Sequence, residues 1–350
     1  MKEKFQLERY PSNEHPEPIL TPRKEIEWEA KATYNPSVIY DEGIFKMLYR
    51  TYPSKLELMG PRLKRPGFYF KNQTSYIGYA ESKDGIHFER RDTPLISPDT
   101  DYDGFGCEDP RVTKIGDTFY ITYTAIDSPI HSWDKTQKGV RKANDRIALA
   151  TTQDFISIKK HGIIGPPIAS KASAFFPEML SNGKFGLLMT ISADSVNSHI
   201  GVRYYDSIEE IMKQTNESWS EFLKVSQNTA VLKTQWWLHR GPELGSVPLK
   251  TDRGWLIIFS NESMSDSWTV GAALLDLNTP DKLIARTPGY ILQPVTDYER
   301  EGLVPNVTFP EGAVVVEDEL YVYYGAADTV IGLAKCKLSE LLNYIESFKN

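Results

Sequence analysis

Two adjacent carboxylates, Glu108 and Asp109, open the run EDPRVTKIGDTFYITYTA, and a proline and Arg111 follow them directly. A carboxylate at such a strand start is either a solvated loop charge or an acid placed to meet a substrate. Other polar groups stand at comparable places in the chain: Asn35, Glu178, Glu243 and Glu311, with Arg50 and Arg146 as further cations. Carboxylates brought together repel, so one of them is pushed to keep its proton near neutral pH. A site built this way obtains a general acid and a general base from one residue type. Arg50, Arg111 and Arg146 would either neutralise these acids or touch the ligand. The chemistry this suits is inverting cleavage of a glycosidic bond, with an acid at the leaving oxygen and a base about 6.5–9.5 Å away activating water. No Gly-rich phosphate loop, GxSxG elbow or His/Cys/Asp metal pattern competes, so neither metal nor cofactor is expected. His131, His161 and His199 fall in loops or outer strands.

The elements that would position these groups repeat. Five segments share a polar or proline-marked start, a short strand, a Gly/Asp/Asn turn and an aromatic-rich strand. They begin near Asn35, Glu108, Phe176, Gly245 and Pro310. Gly-Asp between alternating apolar runs, as at Gly116-Asp117, is a hairpin signal. Each segment precedes a third strand rich in Gly and Ala (YIGYAES, RIALATT, HIGVRYY, TVGAALL, VIGLAKC), and the first four also have an outer segment. Four strands repeated five times around an axis predict an all-β, five-bladed β-propeller with a central cavity, read as one domain over residues 1–350. The innermost strands of a propeller begin at one end of the channel, which gathers the acids at its mouth. Helix is expected only at the periphery, after Asp206 and at 338–348, the latter with Ser339 as N-cap. The long loops 52–75 and 126–145 should flank the entrance.

Composition excludes several classes. The chain has 350 residues, a net charge of −7 and no basic block, which argues against nucleic acid or an anionic membrane as partner. Its 19 Tyr and 7 Trp suit both β-strands and sugar stacking. Two cysteines are too few for a disulfide framework. Neither a signal peptide nor a membrane-spanning run is visible as written, so a cytoplasmic setting is expected, or a periplasmic one had a leader been removed.

Five ordered motifs carry a resemblance: EDPRV (108–112), AFFPEM (174–179), VPLKTDRGWL (247–256), VPNVTFP (304–310) and YYGAADTVIGLA (323–334). They are similar to glycoside hydrolase family 130, the β-mannoside phosphorylases and β-1,2-mannosidases, whose fold is a five-bladed propeller. The resemblance implies that Asp109 is the catalytic acid, acting through the 3-hydroxyl of the bound mannose. It also implies that Asn35, Arg50 and Asp328 hold that mannose in subsite −1, and that Arg111 orients the acid or touches the sugar. Asn306, in the fourth motif, joins the substrate-binding candidates with Glu108, Arg146 and Glu178.

The departures from the family pattern concern phosphate. Three basic groups that hold it in family phosphorylases are missing: LLMTISA lacks the arginine, Gly241 falls at the lysine, and Ser260 falls at the histidine. Glu243 and Glu262 lie beside those places and could deprotonate water instead. The expectation is therefore an inverting exo-acting β-mannosidase on β-1,2 linkages, with Glu243, or else Glu262, as base. His239 and Arg240 support the alternative, a β-mannoside phosphorylase with inorganic phosphate as co-substrate. A non-catalytic sugar-binding propeller is the third reading. Members of the family commonly assemble, so a homo-oligomer is a further expectation of the resemblance.

Overall fold

A computed structural model describes residues 4–61, 68–71, 73–128, 145–168, 170–193, 197–235 and 238–349, with the backbone alone defined for 58–61 and 68–71. His131 and most of the loop 126–145 lie outside the described residues, as does the middle of the loop 52–75.

Five of the six antiparallel sheets among the described residues are the blades of a propeller, and the sixth pairs 57–61 with 68–71. From the axis outward, the first has strands 32–41, 44–52, 76–82 and 89–90, and the second 106–115, 118–126, 145–152 and 159–163. The third has 170–175, 185–191, 199–205 and 232–233, and the fourth 238–244, 254–263, 268–275 and 283–286, with a short extra strand 249–251. The fifth has 308–316, 319–326 and 330–337. Its outermost strand is Glu8–Arg9 from the opposite end of the chain, paired with Lys335 and Ala334. This explains why only four repeats carry an outer segment in the sequence. A buried ion pair fixes the closure, with Arg9 Nε 2.8 Å from Glu299 Oε1.

Apolar patterning dictates this arrangement. A blade is covered on both faces, so its second strand reads as an unbroken apolar run rather than an alternation. In WLIIF, Trp255, Ile257 and Phe259 pack toward the third blade. Leu256 and Ile258 pack toward the fifth. Five clusters of this kind fill the five junctions between neighbouring blades.

Two repeat starts move. The innermost strands of the third and fourth blades are Ser170–Phe175 and Leu238–Leu244, ahead of the starts read near Phe176 and Gly245. Small residues in SKASAF, and charged residues with a Gly-Pro break in LHRGPEL, hid the two strands. Gly245 is needed where the fourth blade crowds the fifth: a Cβ there would stand 2.3 Å from the Pro310 carbonyl oxygen. The helical stretch after Asp206 is two helices, Ile208–Ile211 and Asn216–Ser226, because Thr215 caps the second with a capping box. The C-terminal helix spans Leu338–Glu346. Ser339 lies inside its first turn, donating to Asp318 at 2.8 Å, and is not its N-cap.

Candidate active site

Every innermost strand carries a register break near its start: at Asn35, at Asp109-Pro110, at Ala172, at Gly241-Pro242 and at Glu311. Such bulges re-aim side chains and concentrate beside active sites. Asn35, Asp109 and Ala172 take positive φ of 48°, 50° and 54°. That conformation is uncommon for residues other than glycine, and Asn and Asp tolerate it best. Prolines follow Asn35, Asp109 and Gly241 and remove one ladder donor each, which suits a strand that is broken there.

The bulges bring the predicted acid together with its predicted partners. Asp109 Oδ1 accepts from Asn35 Nδ2 at 2.8 Å and from Arg50 Nη1 at 3.0 Å. Arg50 Nη2 reaches Glu108 Oε1 at 2.6 Å, and the same oxygen accepts from Ser75 at 3.0 Å and Tyr52 at 3.2 Å. Burial pushes the Glu108 carboxyl up to about 7, with Asp109 adding and Arg50 opposing. Burial also acts on Asp109, but Arg50, Arg111 and Lys171 outweigh it and hold that carboxyl below its ordinary value. Of the two, Glu108 is the carboxyl whose surroundings favour the proton and Asp109 the one whose surroundings favour the charge. Asn35 Oδ1 is buried with no hydrogen-bond partner among the described residues, which leaves an acceptor open beside Asp109.

Gly325 backs this group. A Cβ there would lie 2.1 Å from Asn35 Oδ1. Gly325→Ala is expected to displace Asn35 and raise KM for the sugar about tenfold while the protein stays folded, an outcome that steady-state kinetics and circular dichroism check together.

Other predicted residues have different places. Arg111 is 1 % exposed and ties three blades together. It donates to the carbonyls of Asp109 at 2.8 Å, Leu244 at 2.8 Å and Gly245 at 3.0 Å, with Glu311 Oε1 at 3.3 Å. These bonds tie Arg111 to the backbone of the bulge at Asp109 and to the neighbouring inner strands. Glu311 is fully buried, and burial holds its carboxyl well above the ordinary range, Arg111 opposing and Asp109 adding. Arg146 stands two strands out from the axis and donates to the Gly165 carbonyl at 3.0 Å rather than to an acid. Glu178 follows the end of its inner strand, on the face away from the bulges, and pairs with Lys250 at 2.5 Å; it is not at the mouth. Asp328, at φ 51°, acts electrostatically on Tyr34 beside Arg50. Asn306, half-buried at φ 61°, precedes the inner strand of the fifth blade and accepts from the Trp268 amide at 2.9 Å.

The two carboxylates expected as bases are both paired. Glu243, fully buried, has Lys171 Nζ 3.4 Å from its Oε2. Glu262 is held by Arg240, whose guanidinium also lies 5.3 Å from the Trp268 ring centre. His239 stands 3.7 Å from Glu262 and 3.5 Å from Asp266. These three side chains could in principle hold a metal ion, but Arg240 already places a fixed positive charge on the buried carboxylate among them. Lys171 was missed from sequence: in SKASAF it looks like one charge in an unremarkable segment, and only the bulge at Ala172 turns this part of the strand into the site. His161 and His199 pair with Thr151 and Ser226, away from the acids.

Residues 6–347 match the model of glycoside hydrolase family 130, described as beta-1,4-mannooligosaccharide phosphorylase. A 1,2-beta-oligomannan phosphorylase of Thermoanaerobacter sp. (strain X514) is 35 % identical over 93 % of this chain and 96 % of its own length. A beta-1,2-mannobiose phosphorylase of the same organism is 36 % identical over 91 % and 94 %. The structure of the beta-1,2-mannobiose phosphorylase of Listeria innocua in complex with beta-1,2-mannobiose superposes with a TM-score of 0.72 at 28 % identity, covering 97 % of this chain and 99 % of that one. These relatives overturn the expectation of a hydrolase. The error has a physical source: unpaired carboxylates would repel phosphate, but Glu243 is paired with Lys171, which the sequence did not single out, and Glu262 with Arg240, which sequence alone could not place on it.

Proposed function

The chain belongs to glycoside hydrolase family 130, and from that membership and the site we propose that it is an inverting β-mannoside phosphorylase acting on β-1,2 linkages. The observation that carries this reading is the pairing of each base candidate with a cation, Glu243 with Lys171 and Glu262 with Arg240. Phosphorolysis needs no general base, because inorganic phosphate is already an anion at neutral pH. It needs positive charge at the nucleophile and a proton for the leaving oxygen.

In the reaction, a phosphate oxygen bonds to the anomeric carbon of the terminal mannose as the bond to the leaving sugar breaks. The leaving oxygen takes the proton of the mannose 3-hydroxyl, and Asp109 replaces that proton. The products are α-mannose 1-phosphate and a manno-oligosaccharide one unit shorter. The cations around Asp109 favour its ionised form in the free site, and it takes a proton in the complex. Sugar excludes water and phosphate adds negative charge, and both changes favour the neutral carboxyl.

The reverse direction tests this reading. Given α-mannose 1-phosphate and mannose, the protein is expected to release inorganic phosphate and form a β-1,2-linked disaccharide, identified by NMR. No phosphate release with either mannose or β-1,2-mannobiose as acceptor would overturn it.

A further inference from the structure

We propose that Glu108 and Asp109 form a carboxyl pair that carries one proton on one guanidinium, that of Arg50. Glu108 is the positioning residue that lets the acid take that proton up, and the inference rests on the reading of Asp109 as the acid. Adjacent residues of a regular strand point to opposite faces. Here the register passes from Glu108 opposite Thr124 to Arg111 opposite Thr122, one residue too many, and Asp109 turns at φ 50°. The bulge brings both carboxyls to the same cation. Arg50 Nη2 lies 2.6 Å from Glu108 Oε1, and Nη1 lies 3.0 Å from Asp109 Oδ1.

The first blade fixes Glu108 in this place. Tyr52 ends its second strand and Ser75 precedes its third, so the two stand at opposite ends of the segment that pairs 57–61 with 68–71. Both hydroxyls donate to Glu108 Oε1, at 3.2 and 3.0 Å, and Gln73 Nε2 donates to the Tyr52 hydroxyl at 2.5 Å. Gly106 makes room for the serine: a Cβ there would stand 2.4 Å from Ser75 Oγ. The charged and titratable groups that face Glu108 are Arg50, Tyr52 and Tyr34 of the first blade and Asp109 of its own. Burial holds both phenols above their ordinary value, so of these groups only the two carboxyls exchange protons near neutral pH.

Two carboxyls this close titrate as a unit, and the first proton bound relieves the repulsion between them. Burial favours that proton on Glu108 in the free site, pushing its carboxyl up to about 7. When the ligands shift the proton to Asp109, the Glu108 carboxylate takes over Arg50, and its charge keeps the proton on the acid. In turnover Asp109 gives that proton to the mannose 3-hydroxyl as the hydroxyl protonates the leaving oxygen. The pair is left as two carboxylates and regains one proton from solvent.

The test is the ratio of kcat/KM on β-1,2-mannobiose between the wild type and Glu108→Gln, read across pH at saturating phosphate. Phosphate titrates alike for both proteins and cancels in the ratio. Glu108→Gln keeps the shape and an acceptor oxygen but no charge, so the ratio is expected to be at least about tenfold at about pH 8. Below about pH 7 it should shrink, because the wild-type pair already holds its proton while the variant still gains protonated Asp109. A ratio that does not change with pH would overturn the pair, since Glu108 would then only pack. Ser75→Ala carries the test if Glu108→Gln fails to fold. It removes one donor to the carboxylate, so the bend in kcat/KM should move to higher pH, and an unmoved bend would overturn the pair. Asp109→Asn is measured alongside: its loss of mannobiose activity leaves the acid reading standing whatever Glu108 does, and near-normal activity would overturn the acid reading and this proposal together.

Discussion

Replacing Asp109 by Asn is expected to lower kcat on β-1,2-mannobiose about 10²- to 10⁴-fold with little change in the folded structure. Asn matches Asp in shape, and its carbonyl oxygen can still accept from Asn35 and Arg50, which now meet Asp109 Oδ1 at 2.8 and 3.0 Å. What it cannot do is supply a proton. The size of the loss follows from the leaving group: a sugar hydroxyl departs as a poor anion unless it is protonated as the bond breaks. An aryl mannoside whose phenol leaves as a stable anion needs no such help, so Asp109→Asn should lose far less activity on it. That contrast separates an acid from a residue that only shapes the site. Activity on mannobiose within about tenfold of the wild type would remove Asp109 from the mechanism.

The second large effect is on stability. Arg50→Met is expected to cost about 3–5 kcal/mol, because it leaves the carboxylates of Glu108 and Asp109 buried without the cation that reaches both. The deficit should depend on pH in a definite direction. Without Arg50 the cation that most opposes burial at both carboxyls is gone, so both shift upward and Glu108 moves further above its unfolded value; the folded variant then holds protons that the folded wild type releases. Stability then falls as pH rises. Denaturant unfolding should accordingly show a larger gap between wild type and variant at about pH 8 than at about pH 5. An equal gap at both would mean that lost packing against Tyr34 and Tyr52, 4.9 and 5.0 Å from the guanidinium carbon, dominates instead.

How much of this was legible in the sequence varies with the kind of signal. The five-fold repeat and the all-β fold could be read because both faces of each blade are buried and every turn is marked. Asp109 stood out as half of an acidic pair ahead of a proline. The tripeptide FPE shows where reading stops. It occurs at 176–178 and again at 309–311, yet Glu178 is half-buried beyond the end of its strand and Glu311 is fully buried at a bulge on the axis. The third-blade bulge lies at Ala172, ahead of the tripeptide, whereas the fifth-blade bulge lies at Glu311 itself, and the position of a bulge leaves no trace in periodicity.

The hydrolase expectation failed for a related reason. A sequence shows a charge but not its partner. Glu243 and Glu262 were counted as negative charge at the nucleophile, while Lys171, 72 positions before Glu243, went uncounted because no local pattern links the two strands. Arg240 was noted, and the alignment alone could not place it on Glu262.

The account as a whole depends on phosphate, rather than water, attacking the sugar. Proton and phosphorus NMR of the protein with β-1,2-mannobiose decides it most directly. With phosphate present, one α-mannose 1-phosphate should appear for each mannose released, and without phosphate the disaccharide should persist. Two free mannose molecules per disaccharide in phosphate-free buffer would contradict it.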